Sequence, residues 1–483
     1  MGRRAFRISV LFFAFTLVGT ADAGEGMDLL RRSLQSRLPM LQKAAAAPSV
    51  HIVEISSGEP VLNHNANRGR IVASNTKLFT SAAALDLLGP AYQFETRLLA
   101  SGPIEDGVLR GGLAVIGAGD PNLSGRHYFG DAFAAFRPWA RKLFRRGIRR
   151  VEGPVLLLAG LFEGPLVHPD WPRDQLSRWY EAPVAALSFN DACILVRVLP
   201  GSAPGQPARV ETVPDLGIFD IRNTARTVGA RSRHRVAIGR AVGSHEVRVT
   251  GQVRVGADAV ERWVTVEDPV AYFGAALKAT FLQEGVEISA PEPASSLSPG
   301  PWRAVTSHRS DLLTTLEVVN KRSQNLYAES VLKVLGARAC GRGSWAAGIQ
   351  AVEEFLDRLD LERGTYRLAD GSGMSRRNRF TARQVTHLLR RMFFHRWGSE
   401  FLKTLPYSGE PELSWKKRLA DPPYRGNVFA KTGTLRGVSA LSGYAKGRSG
   451  RLYAFSILLN DTRSSWAASR AQDALLKTLI DDG

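Results

Sequence analysis

Residues 72–80 read VASNTKLFT, which sets Ser74 and Lys77 three positions apart at the head of an alanine-rich apolar run. On a helix, residues i and i+3 share a face, so the lysine can reach back to the serine hydroxyl. A serine hydroxyl becomes a useful nucleophile once something takes its proton. Lysine can be that base where burial and neighbouring cations lower its pKa. The spacing alone is weak evidence. Serine and lysine also suit the first turn of an ordinary helix, and the second S-x-x-K, Ser414-Trp415-Lys416-Lys417, reads as surface decoration.

Two further motifs sharpen the reading. Ser323-Gln324-Asn325 lies inside LEVVNKRSQNLYAESVLKVLG, and Lys431-Thr432-Gly433-Thr434 follows the strand-like Val428-Phe429-Ala430. S-x-N recurs at Ser188-Phe189-Asn190, whereas Lys-Thr-Gly occurs once. S-x-x-K, S-x-N and K-T-G together, in that order, form the motif set of β-lactam-reactive serine enzymes.

The elements that must position these motifs follow from patterning. Residues 27–44 read as a basic amphipathic helix interrupted near Pro39, and residues 50–55 and 61–63 as a strand and its return. The helix after Ser74 stops at Gly89-Pro90. Residues 95–300 carry short valine- and leucine-rich runs punctuated by glycine and proline, a β-rich texture, with loops at 200–207 and 291–301 and a helix near 269–285. Beyond residue 305 the pattern is helical: 312–337 as one long region or two helices, then 344–359 and 381–394. Residues 428–434, 438–444 and 452–459 read as an antiparallel meander, closed by a helix over 464–480.

Composition limits the alternatives. The chain has 483 residues and a formal net charge of +19. Arg3, Arg4 and Arg7, the apolar residues 8–20 and Ala21-Asp22-Ala23 have the form of a secretory leader, which predicts export to the periplasm. No other run reaches the roughly 18 apolar residues of a spanning helix. An exported basic protein is drawn to anionic wall polymers or lipid head groups, and peripheral association follows as an expectation. There is no zinc-finger or RNA-binding signature, so nucleic acid is not an expected partner. Cys193 and Cys340 are too few for a disulfide framework or a cysteine metal site; one bridge and two free thiols both fit. HExxH, GxxxxGK[ST] and G-x-S-x-G are absent, so neither a metal nor an organic cofactor is expected.

The longer segments VASNTKLFTSAAALDLLG, SQNLYAESVLKVLG, Asp370-Gly371-Ser372-Gly373-Met374-Ser375-Arg376 and NVFAKTGTLRGVSALSGYAKG closely resemble the D-alanyl-D-alanine carboxypeptidase/endopeptidase family, the class C low-molecular-mass penicillin-binding proteins. The resemblance runs from about residue 45 to the C-terminus and is thinner in the middle, where GAGDPNLSG and WPRDQLSRWYEAPVAALSFND still match. Val72 stands where a proline is usual, and Gly409-Glu410-Pro411-Glu412-Leu413 replaces a more usual Gly-Thr-Leu ending. Neither departure removes a catalytic side chain.

The resemblance implies roles. Ser74 attacks the carbonyl between two D-alanines, Lys77 is its base, and Ser323 passes a proton to the leaving amine, held by Asn325 and Lys431. Thr432 with Lys431 binds the terminal carboxylate, within the Lys431-Thr432-Gly433-Thr434 stretch that forms the substrate-binding edge. The backbone N–H groups of Ser74 and Thr434 form the oxyanion hole. Asp174 is the candidate for an aspartate that reaches from the insertion towards the active-site lysines; a plain surface carboxylate is the alternative. Asp370-Gly371-Ser372-Gly373 reads as a turn shaping the cleft wall.

These readings give an α/β (α+β) β-lactamase/transpeptidase-like domain, with an antiparallel sheet between helices, built from residues 24–95 and 305–483. A β-rich insertion at 96–304 interrupts it and carries a nested sub-domain near 205–255. The expected activity is serine-type D-Ala-D-Ala carboxypeptidase action on peptidoglycan peptides, with endopeptidase action also possible on the same bond type, and with β-lactams as covalent inhibitors. A serine β-lactamase and a catalytically silent wall-binding protein are the competing readings.

Overall fold

The computed structural model describes residues 22–297 and 299–483. The leader read at residues 1–23 lies outside them except for its last two positions.

A five-stranded sheet joins the two ends of the chain. Its order is Pro60–His64, Ala45–Glu54, Leu452–Thr462, Val438–Lys446, Val428–Leu435, and every neighbouring pair is antiparallel. Side chains alternate across a strand, so Ile52 and Val53 enter different cores. On one face Ile52 and Phe455 pack with Leu30, Leu41, Leu475 and Leu479 from the helices Asp22–Ser36, Leu38–Ala44 and Ser465–Asp482. On the other, Val53 and Leu458 join Phe79, Leu85 and Leu389 from Thr76–Leu88 and Ala382–Phe393. The sheet thus lies between two helical layers. Mixed α/β architecture follows from the alternating texture of the sequence.

Thr76–Leu88 is buried from Thr76 to Leu85 without a polar face, as expected of a helix at the centre of a domain. It ends at Gly89, whose φ of 75° no β-carbon disfavours. The 312–337 region forms two helices, Leu312–Lys321 and Asn325–Ala339, separated at Ser323 with φ 57°. That left-handed residue stops the first helix and turns the serine aside from the second.

Between residues 93 and 311 the chain builds further sheets. Gln93–Ala100 pairs with Arg303–Asp311, in a sheet completed by Leu113–Ile116, Val155–Leu158 and Glu292–Pro293. Cys193–Leu199 lies between Arg209–Val213 and Val260–Thr265; Glu246–Arg254 gathers Asp220–Asn223, Arg226–Val228 and Arg235–Arg240. The helices Arg137–Arg145 and Gly398–Thr404 were not expected from the sequence. Gly398–Thr404 is too short to show much periodicity, and Arg137–Arg145, though amphipathic, sits within β-rich sequence. Both cysteines are free thiols, Cys193 buried. Among the described residues no helix is long and apolar enough to cross a membrane.

Candidate active site

Three chain segments converge where the central helix meets the edge of the sheet. Ser74 sits in the 3-10 turn Ala73–Asn75, immediately before Thr76–Leu88. Asn75, one residue on, donates from Nδ2 to Ser442 Oγ at 2.6 Å, and Ser442 bonds to Ser456 at 2.9 Å. These buried polar links tie the nucleophile turn to the second and third strands from the sheet edge.

Lys77 is fully buried, with Nζ 3.1 Å from Ser74 Oγ, 2.7 Å from Asn325 Oδ1 and 2.6 Å from Ser372 O. Burial pushes its pKa down to about 7, with the charges of Glu329 and Asp370 opposing the shift. The geometry suits a neutral amine. Two N–H groups satisfy the closer acceptors, Asn325 and Ser372, and the lone pair is left facing the Ser74 hydroxyl.

Asn325 opens the Asn325–Ala339 helix. Its Nδ2 donates to Tyr180 O at 2.7 Å, which orients its Oδ1 towards Lys77. Ser323 Oγ accepts from Lys431 Nζ at 2.8 Å, and Lys431 also donates to Thr432 O at 2.9 Å. Lys431 is buried, and both burial and the nearby Lys77 push its pKa well below that of an ordinary lysine.

Val428–Leu435 is the last strand of the sheet, and its outer side is partly used. Ala430 N–H donates to Pro406 O and Val428 O accepts from Ser408 N–H. The period of two along a strand gives the backbone groups of Thr432 and Thr434 the same outward direction, here towards the cleft. A β-carbon on Gly433 would come 2.7 Å from Val72 O and 3.0 Å from Ser74 N. The glycine therefore lets the strand approach the nucleophile turn.

Ser74, Lys77, Ser323, Asn325 and Lys431 are thus joined in two hydrogen-bonded groups, with Thr432, Gly433 and Thr434 on the adjoining strand edge. Asp174 is not part of either group. It lies on the exposed turn Arg173–Gln175, beside a hollow of about 340 Å³ that it shares with Arg178, Tyr180 and Arg262.

Sequence reasoning missed Glu329. Its carboxylate is fully buried and accepts from Gly371 N–H at 3.0 Å, Ser372 N–H at 2.7 Å and Trp345 Nε1 at 2.8 Å. Burial and the neighbouring Asp370 raise its pKa to about 7. Asp370 accepts from Gly373 N–H, Ser375 N–H, Asn378 and Trp171. The signal was there: Asn325, Glu329 and Lys333 recur every four residues on a mostly apolar helix, which aligns them on one face.

The chain resembles known proteins over most of its length. The family model for D-Ala-D-Ala carboxypeptidase 3 (S13) matches residues 30–480. The D-alanyl-D-alanine carboxypeptidase of Actinomadura sp. (strain R39) is 32% identical, over 99% of this chain and 90% of that protein. The D-alanyl-D-alanine carboxypeptidase DacB of Haemophilus influenzae is 25% identical over 87% of each chain. The crystal structure of penicillin binding protein 4 (dacB) from H. influenzae shares the fold, with a TM-score of 0.81 at 23% identity, covering 93% of this chain and 99% of that one. With a match over nearly its whole length, the chain belongs to the D-Ala-D-Ala carboxypeptidase 3 (S13) peptidase family.

Proposed function

We infer that this protein is a serine DD-peptidase that cleaves D-alanyl-D-alanine bonds of peptidoglycan stem peptides through an acyl-enzyme and is acylated by penicillin. Family membership supports the reaction class. The observation that carries the site is the buried lysine, lowered to about 7, hydrogen-bonded to Ser74.

The peptide lies along the outer edge of Val428–Leu435 at Thr432–Thr434, beyond the stretch paired with Pro406 and Ser408, adding to the sheet as a strand would. Lys77 takes the Ser74 proton as Oγ forms its bond to the carbonyl carbon. The N–H groups of Ser74 and Thr434 hold the oxyanion. The C–N bond then breaks, and the leaving amine takes a proton through Ser323, held by Lys431. Thr432 and Lys431 receive the terminal carboxylate. Water then attacks the ester carbonyl and gives its proton to Lys77, the C–Oγ bond breaks, and Lys77 returns that proton to Ser74 Oγ. Asn325 Oδ1 is an acceptor that orients Lys77, and Asp174 contacts the donor peptide at the cleft rim.

The finer assignments belong to the same proposal. The leader at residues 1–23 directs export to the periplasm, and the net charge of +17 that remains without it favours the anionic wall or membrane surface. Residues 24–95 with 305–483 form the catalytic unit, and 96–304 form an insertion with a nested sub-domain near 205–255. Endopeptidase action would use the same acylation on a cross-linked donor.

Incubation with benzylpenicillin followed by intact mass and peptide mapping tests the reading. A stable adduct on the peptide containing Ser74, absent from Ser74→Ala, is the expected result. An unlabelled protein beside unhydrolysed drug would overturn it, and rapid drug turnover would indicate a β-lactamase.

A further inference from the structure

A cavity of about 430 Å³ opens beside the Ser323 loop and takes no part in the chemistry above. Arg322 and Gln324, on either side of Ser323, form one wall. Its floor is polar: Ser124, Asn190, and Asp191 paired with Arg126. Gln324 is fixed there, donating to Asp191 at 3.2 Å while its Oε1 accepts Asn325 N–H at 3.0 Å.

The remaining wall carries two tryptophans. Trp179 is 40% and Trp263 43% exposed, and two exposed indoles lining the same hollow make a local apolar patch rather than scattered exposure. Both also line the neighbouring 340 Å³ hollow, so the two indoles stand between the cavities. That second hollow includes Arg262, whose Nε is buried without an acceptor.

We propose that the Trp179–Trp263 pair and its two hollows bind the saccharide to which the stem peptide is attached. This rests on the peptidase reading and extends it to the other end of the substrate. A pyranose ring has a flat apolar face that suits an indole and a rim of hydroxyl and amide groups that suits a polar floor. Small or charged peptide side chains present no such face. Two adjoining hollows match two linked rings. Reach is adequate: the cavity borders the Ser323 loop, and three extended residues span about 10 Å.

The test uses the full chain and two substrates, a free peptide ending in D-Ala-D-Ala and the same peptide on its N-acetylated disaccharide. The readout is the ratio of their kcat/KM values, which cancels general damage to folding or catalysis. Wild type should favour the glycosylated substrate about tenfold, and Trp179→Ala/Trp263→Ala should bring the ratio near one. A wild-type ratio near one, or a preference that survives the double substitution, overturns the proposal. If neither substrate is cleaved, the peptidase reading has failed instead. Saturation-transfer NMR with the peptide-free disaccharide then decides the subsite. Signal with wild type that is lost in the double variant supports it, and no signal with wild type overturns it.

Discussion

Glu329 and Lys77 meet through a single residue: Glu329 accepts the N–H of Ser372, and Lys77 donates to the C=O of the same Ser372. The Asp370–Gly373 turn is therefore more than a cleft wall. It is held from behind by Glu329 and braced by Asp370, which accepts Gly373 N–H at 2.7 Å. Its forward carbonyl fixes one of the two N–H groups that direct the lysine lone pair at Ser74. Positioning and electrostatics here come from the same carboxylate.

The pH dependence of acylation follows. Lys77 must be neutral to take a proton, and its pKa is about 7. Acylation by a β-lactam should fall about tenfold per pH unit below 7. Glu329 itself titrates near 7, so its negative charge favours the protonated lysine only from about that pH upwards. Glu329→Gln should therefore shift the upper part of the limb, near pH 7, to lower pH and leave the rate well below 7 little changed. A uniform loss of rate with the limb unmoved would reduce Glu329 to scaffolding.

Gly433 offers a sharper geometric test. A methyl group there meets Val72 O and Ser74 N, both backbone. Strand and nucleophile turn must separate, and the oxyanion donors separate with them. Gly433→Ala should cost about 10² to 10³ in acylation rate, as loss of an oxyanion donor does, and should also lower the thermal transition because the clash is with backbone. Near-normal acylation would mean that the two backbones need not approach so closely.

Asn75 should affect stability as well as rate. Its amide donates to Ser442 in a buried chain that continues to Ser456. Asn75→Ala leaves Ser442 short of a donor and should destabilise the fold by about 1–3 kcal/mol. Chemical denaturation reads this directly, and an unchanged midpoint would show that the link is replaceable.

Much of this was legible because the motifs are local. Ser74 and Lys77 share one helical turn, and the strands at 428–434, 438–444 and 452–459 alternate and are punctuated by glycine, so spacing carried the information. What the sequence hid is contact between distant segments. Glu329 looks like any helical carboxylate until burial removes its water, and its partners lie in another segment, at Gly371 and Ser372. Tyr180 contributes only a backbone carbonyl to Asn325, a role independent of its side chain. Arg137–Arg145 was hidden by the β-rich texture around it.

Asp174 tests how far recognition extends beyond the reacting bond. It lies on an exposed turn with Arg178 and Arg262 nearby, and among the described residues no hydrogen bond joins it to Lys77, Ser323 or Lys431. A carboxylate so placed can bind a donor or cationic group on the peptide, but it cannot tune the base by contact. Rim charge contacts contribute about 1 kcal/mol or less, so Asp174→Asn should raise KM about fivefold with kcat held. Acylation by benzylpenicillin, which lacks the extended peptide, separates the two possibilities. A slower acylation would mean that Asp174 acts on the catalytic groups through movement of its turn. An unchanged KM would return it to the surface.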